Sequence, residues 1–352
     1  MMLSKTTVTS GKGAQFLQLW APANWTLTSD AGWVTISPAS GKAGEYNDIV
    51  VSYPANEGEE ARTADILLSC DGRKVVVTLR QNCISEDPQA EETGASSTKR
   101  RWMELPETID GDGLHFYTHD MTLQGRTMRN YSFYWDGNRL VARWVAYPRN
   151  NALRGSGSRT DAWALDPLLP ANRQPIVTST FQGGWTRGHQ IPSADRLNTN
   201  ANMATFYGTN MTPQDYNFNG EIWARLEGTV RSWASKSDTL YVVTGCVVDG
   251  STQTATDVAG KRITVPTAYY KAVLSLNKSA SAHSGYMGCA VYLLHTHNPN
   301  ETVARNHSSV MSIRELEQKT GVNFFVNLPG AVGAEVAEAI ETENPNAVSW
   351  WW

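Results

Sequence analysis

Residues 209–227 read TNMTPQDYNFNGEIWARLE, and from Asn219 onward the apolar positions Ile222, Trp223, Leu226, Val230 and Trp233 recur at helical spacing. The stretch from Asn219 to Ser232 therefore reads as an amphipathic helix that Asn219 begins, and Asn is a common helix cap. Glu227 falls two turns after Asn219 on the same stripe. Glu227 and Arg231 stand four apart, the spacing of an exposed helical ion pair. Upstream, residues 185–196 read WTRGHQIPSADR. Around these segments the pattern is of strands. YSFYW at 131–135, a turn at Asp136-Gly-Asn138 and RLVARWVAY at 139–147 make a hairpin signal, and apolar runs follow at 239–248, 268–277 and 288–295. A helix set among such strands implies a central sheet flanked by helices, an α+β domain.

The two segments resemble the paired signatures of the DNA/RNA non-specific endonucleases of the ββα-metal (His-Me finger) superfamily. That family carries Asp-Arg-Gly-His followed by Asn-x-x-Pro-Gln, Asn, Trp and Leu-Glu. In this chain the second signature is present at every position, as Asn210, Pro213, Gln214, Asn219, Trp223, Leu226 and Glu227. The first is present as Arg187, Gly188 and His189, with Thr186 where the family usually has Asp. A third stretch, SIRELEQKTGVNFFVNLP at 312–329, is similar to the family's closing helix and loop. The resemblance spans about residues 101 to 330 and implies an antiparallel central sheet bearing a ββα metal finger.

What it implies for chemistry rests on separate physical reasons. A phosphodiester is anionic and repels hydroxide, so hydrolysis needs a base that deprotonates water during attack, the role that falls to the His189 imidazole. A neutral carboxamide suffices as the only protein ligand of a hard cation when water and the scissile phosphate supply the other oxygens, which makes Asn219 the metal ligand. The expected cofactor is Mg²⁺, with Mn²⁺ as a substitute, and stabilisation of the leaving 3′-oxygen implies 5′-phosphate products. Glu227 would hold a metal-bound water, and Arg187 and Arg231 would neutralise charge at the transition state. Asn210 and Gln214 match positions that support the site by hydrogen bonding, Asn210 being expected among the catalytic residues and Gln214 among those that contact substrate. Arg159 is expected as a further phosphate-contacting and catalytic arginine, although its spacing to Trp163 is about two residues longer than the pattern. Thr186 removes a carboxylate, which bears on metal affinity, metal preference and the surroundings of His189. Partners are DNA and RNA, contacted through the phosphate backbone with little sequence preference and with activity falling as salt rises.

The first part of the chain reads differently. From Thr6 to about Gln81, short β-branched or aromatic runs alternate with turn residues, the pattern of a small antiparallel sandwich. WTLTSD at 25–30, WVTISPASG at 33–41, RTADI at 62–66 and VTLRQ at 77–81 resemble a BACON domain, an immunoglobulin-like module whose name implies carbohydrate binding. Trp25 and Trp33 occupy hydrophobic strand positions, which favours core packing over sugar stacking. ISEDPQAEETGASSTKR at 84–100 has the composition of a linker. The expected organisation is thus a sandwich at 1–83, a linker at 84–100 and a nuclease domain at 101–352.

With 352 residues the chain suits two cores, and 18% charged with 10% aromatic residues excludes a disordered or fibrous class. The net charge of −4 excludes a whole-protein basic field, so any nucleic-acid contact must rest on a local groove aided by a cation. Cys70, Cys83, Cys246 and Cys289 show no zinc-type spacing; disulfides within each domain and buried free thiols are both compatible with their positions. No apolar run is long enough for a membrane helix, and a start within a strand-like pattern suggests an export segment ahead of the sequence as given, hence an exported protein. His295 and His297 alternate on a strand and read as a solvated face rather than a metal pair. The Trp350–Trp352 run implies docking on the domain surface or stacking on a partner. An alternative of another class is a catalytically degenerate, cell-surface carbohydrate-binding protein; a toxin delivered against other bacteria would share the nuclease chemistry.

Overall fold

In the computed structural model, burial alternates along the N-terminal strands as a sandwich requires; in Arg62–Cys70, for example, Ala64, Ile66 and Leu68 point inward. The structure describes residues 1–3, 6–8, 13–58, 60–83, 102–109, 111–123, 126–296 and 309–351. The chain forms two compact units, Met1–Thr93 with Ala164–Pro175, and Gly94–Trp163 with Ile176–Trp352. Residues 84–101, where the linker is expected, lie outside the described residues.

The first unit is built on a sheet of four strands, in the order Met2–Leu3, Gly13–Ala21, Gly44–Tyr53 and Thr35–Ser37. A second sheet of five runs Thr7–Val8, Arg73–Gln81, Arg62–Cys70, Trp25–Ser29 and Ser40–Gly41. Leu17, Leu19, Trp25, Leu27, Ile49, Val51, Ile66 and Leu79 fill the space between them. Trp25 is fully buried as expected, whereas Trp33 is half-buried and carries the Arg62 guanidinium 4.3 Å above its ring. None of the four cysteines is joined in a disulfide, so that option falls away.

The second unit is organised by a seven-stranded antiparallel sheet in the order Leu114–Leu123, Arg126–Asp136, Val141–Arg149, Thr239–Val247, Ala268–Leu276, Tyr286–Leu294 and Val310–Met311. One face, with Trp144, Tyr270 and Leu274, packs on Ile313, Leu316, Phe324 and Ile340 of the closing segments. The helix Ile313–Thr320 opens with a capping box between Ser312 and Glu315 and ends at Gly321 in the left-handed region, φ 69°.

The other face carries the finger. Thr186–His189 pairs antiparallel with Met211–Gln214, placing Thr186 opposite Gln214 and His189 opposite Met211. Gly188 permits this pairing to be tight, because a Cβ there would lie 2.1 Å from the Gln214 side chain. The Tyr269 hydroxyl from the central sheet donates to Pro213 O at 2.9 Å and fastens the hairpin. The helix that follows starts earlier than the apolar spacing implied. Asp215 is its N-cap, accepting from the backbone N–H of Asn217 and Phe218, and the chain runs through Tyr216–Phe218, a π turn at Asn219–Trp223 and the α-helix Ala224–Ser235. Asn219 therefore does not cap the helix, and its side chain is released for other contacts.

The tryptophan run docks within this unit: Trp351 is buried edge-on against Trp233 at 5.0 Å, and Trp233 Nε1–H donates to Trp351 O. Trp352 lies outside the described residues. Trp351→Ala should lower unfolding free energy by about 3 kcal/mol, as large-to-small changes at buried rings do. Urea unfolding checks this, and a loss under about 1 kcal/mol would mean that the ring is not held in solution.

Candidate active site

The finger hairpin, the finger helix and the segment around residue 159 enclose one cavity of about 380 Å³. Its walls include Arg159, Arg187, His189, Asn219, Glu227 and Arg231, so six of the eight residues expected at the site converge. Thr186 and Trp163 line it as well.

Hydrogen-bond direction fixes how Asn219 is presented. Gln214 O can only accept, so the Thr186 hydroxyl donates to it at 2.9 Å, and Thr186 Oγ1 must in turn accept from Asn219 Nδ2 at 3.0 Å. The carboxamide nitrogen is thus committed to the hairpin, which leaves Oδ1 as the side-chain atom available to the cavity. Thr186, in the place of the family's usual Asp, keeps the acceptor function with no charge.

His189 lies between aromatic rings, 5.6 Å from Trp163 and 5.2 Å from Phe206, both edge-on. Burial, then the nearby Arg159 and Arg187, push its pKa down to about 3. The ring is therefore neutral near pH 7, and Nε2 is buried without a hydrogen-bond partner among the described residues. Arg187 stacks 3.6 Å over Trp163 and donates from Nη1 to Val177 O at 2.7 Å. Arg159 donates to Asp161 Oδ1 at 2.8 Å and to Ser193 Oγ at 3.0 Å.

Glu227 and Arg231 approach to 3.7 Å, with side chains 17% and 30% exposed, so they form part of the cavity wall rather than a solvated surface pair. Burial raises the Glu227 pKa, opposed by Lys271 and then Arg231. Lys271 is itself buried on the central sheet, its pKa lowered by burial, with Nζ donating to Thr244 Oγ1 at 3.0 Å and lying 4.4 Å over Trp223. Sequence reading passed over Lys271, although a lone lysine within the apolar run AYYKAVLSL was a usable signal. It also passed over Asp195, which is buried and accepts from the Tyr147 hydroxyl at 2.8 Å while Arg149 Nε lies 3.4 Å away.

Three expectations need correction. Asn210 was expected to be catalytic, but it is fully buried off the cavity, bonding the backbone N–H and O of Ile191 and Thr205 O; it braces the turn after His189. Gln214 was expected to contact substrate, but it is fully buried, packed under Gly188. His295 is not solvated: it is 9% exposed, its Nδ1–H donates to Pro266 O at 2.7 Å and its Nε2 accepts from the Asp215 N–H at 2.9 Å. These partners hold a neutral ring that anchors the start of the finger helix, and burial lowers its pKa to match. His297 lies outside the described residues.

Among the described residues, no group of three or more His, Cys, Asp or Glu is arranged to hold a metal ion. A cation held by one carboxamide oxygen, water and a phosphate needs no such cage, and the Asn219 Oδ1 in a cavity flanked by Glu227 fits that donor set.

Comparison with known proteins identifies the family. The family model described as DNA/RNA non-specific endonuclease matches residues 113–331, and one described as Viral BACON domain matches residues 3–84. A nuclease from Nostoc sp. is 31% identical over 215 residues, covering 60% of this chain and 76% of its own. The mitochondrial nuclease EXOG of Danio rerio is 28% identical, covering 66% of this chain and 71% of its own. A nuclease from Serratia marcescens is 29% identical, covering 55% of this chain and 72% of its own. The converging finger residues and the extent of the match together make this chain a member of the DNA/RNA non-specific endonuclease family, with a BACON domain at its N-terminus.

Proposed function

We propose that the protein hydrolyses phosphodiester bonds of DNA and RNA without sequence preference, with Mg²⁺ as cofactor, His189 as general base and Asn219 as the metal ligand, and leaves 5′-phosphate ends. The observation that carries this reading is the meeting, in one cavity, of the neutral His189 imidazole, the Asn219 carboxamide tied through its nitrogen to Thr186, and the arginines Arg159, Arg187 and Arg231.

The neutral His189 ring takes the proton from attacking water on its cavity side. Trp163 and Phe206 hold the ring in place, and Asn210 fixes the turn behind it. Arg159 and Arg187 face the phosphate; its charge offsets theirs, which raises the His189 pKa and makes the ring a stronger base once substrate is bound. Arg231 adds positive charge along the helix face, and Glu227, whose pKa burial raises against the pull of Lys271 and Arg231, orients a water in the cavity. A divalent cation, when bound, supplies positive charge to the phosphate oxygen and the departing 3′-oxygen.

We take residues 1–83 as a separate module and 101–352 as the catalytic one, acting in an exported setting. Among the described residues of the sandwich one aromatic ring, Trp20, is strongly exposed, which favours the role of a spacer over that of a glycan binder.

The test is digestion of plasmid and total RNA with Mg²⁺ or Mn²⁺, with EDTA and His189→Ala as controls. Loss of cleavage in both controls supports the reading; no cleavage with either metal sinks it. The pH profile gives a second check. Because the free-enzyme His189 pKa lies near 3, the base stays unprotonated well below 6.5, so kcat/KM should remain flat as pH falls through the ordinary histidine range. The acid limb of kcat should lie at higher pH, since bound phosphate offsets the arginines. In the same window, below 6.5 and down to about 3, the unfolded chain takes up a proton that the native chain does not, so stability falls as pH falls. A kcat/KM profile breaking at 6.5 would show that His189 is not shielded in this way.

A further inference from the structure

Arg159 carries a half-exposed side chain on an irregular segment, with no strand or helix assigned from residue 157 to residue 163. A long side chain on such a backbone would sample many positions, yet it has defined acceptors in Asp161 and Ser193. The residue that connects these parts is Asn202, fully buried on the short helix Thr199–Ala204 and outside the cavity wall. Its Oδ1 accepts from the Thr160 backbone N–H at 2.8 Å and from the Thr160 hydroxyl at 2.9 Å. Its Nδ2 donates to Ser193 O at 2.9 Å and to Arg196 O at 2.6 Å. Both lone pairs and both N–H groups of the carboxamide are used, and no other side chain of this size offers that set.

Two of these partners bear on Arg159. Thr160 is its chain neighbour, and Ser193 is the residue whose hydroxyl receives its Nη1–H. Phe206, two residues beyond the end of that helix, lies 4.7 Å under the guanidinium. We infer that Asn202 is the positioning residue for Arg159, holding the arginine's backbone and its hydroxyl acceptor in one register. The inference rests on the reading of Arg159 as a phosphate contact.

A double-mutant cycle tests it, with kcat/KM measured on linear double-stranded DNA and Mg²⁺. Arg159→Ala should cost about 100-fold and Asn202→Ala about 10-fold in the otherwise unchanged protein, but Asn202→Ala should cost less than about 2-fold when Arg159 is already Ala. A merely structural Asn202 would lower kcat/KM equally in both backgrounds, and that result overturns the inference. If Arg159→Ala alone keeps full kcat/KM, the phosphate role of Arg159 fails and the inference falls with it. Thr160→Val removes only the hydroxyl arm and serves if Asn202→Ala does not fold; its loss of about 2-fold to 3-fold should likewise vanish without Arg159, and persistence there counts against the proposal.

Discussion

His189→Ala should lower kcat by about 1,000-fold, within the range that a positioned base contributes, while Mn²⁺ affinity stays within about 2-fold of the unsubstituted protein. The separation follows from the geometry. His189 stands on the hairpin and Asn219 on the helix, and the Thr186 and Gln214 contacts that orient Asn219 do not pass through the imidazole. The lost ring leaves space beside Trp163 and Phe206, so the folded state should survive with modest loss of stability. Single-turnover kinetics, with Mn²⁺ titration by electron paramagnetic resonance, measure both quantities. A variant retaining a tenth or more of the rate would remove His189 from the role of base.

Asn219→Ala should weaken Mn²⁺ binding by about 100-fold and depress kcat/KM at least as far as the His189 substitution does at sub-millimolar metal. Because Asp215 caps the helix, the change does not unmask a helix terminus, and the stability cost should stay below about 1 kcal/mol. Thr186→Val makes the comparison sharper. It keeps Asn219 but deletes the acceptor that orients it, so Mn²⁺ affinity should fall by about 10-fold, between the other two. Unchanged Mn²⁺ affinity in Asn219→Ala would mean that the cation, if any, binds elsewhere.

The periodic elements were legible in the sequence because their physics is local. The hairpin from Tyr131 to Tyr147, the later sheet strands and the amphipathic stripe from Ile222 to Trp233 all appear near where spacing put them. The two finger strands did not announce themselves by spacing. Each has four residues, one containing Gly188 and the other Pro213, and they hold their shape through Tyr269 and Gln214 contacts that only the folded chain supplies. The helix start was misplaced because Asp215 and Asn219 are both good caps, and the Asp215 backbone is held by an acceptor distant in sequence, His295, in the turn after a sheet strand. The cavity residues came from motif resemblance. Their burial did not, which is why Asn210 and Gln214 were expected closer to substrate than they lie, and why Lys271 and Asn202 were passed over.

The close pairing at Gly188 means that the glycine of the Arg-Gly-His signature is a vacancy cut to the shape of a glutamine on the opposite strand. Transplanting the short signature onto a foreign hairpin would therefore carry over the reactive side chains and lose their spacing. The smallest portable unit of this site is a matched pair of strands, and a search or a design that scores either strand alone is reading half of a lock.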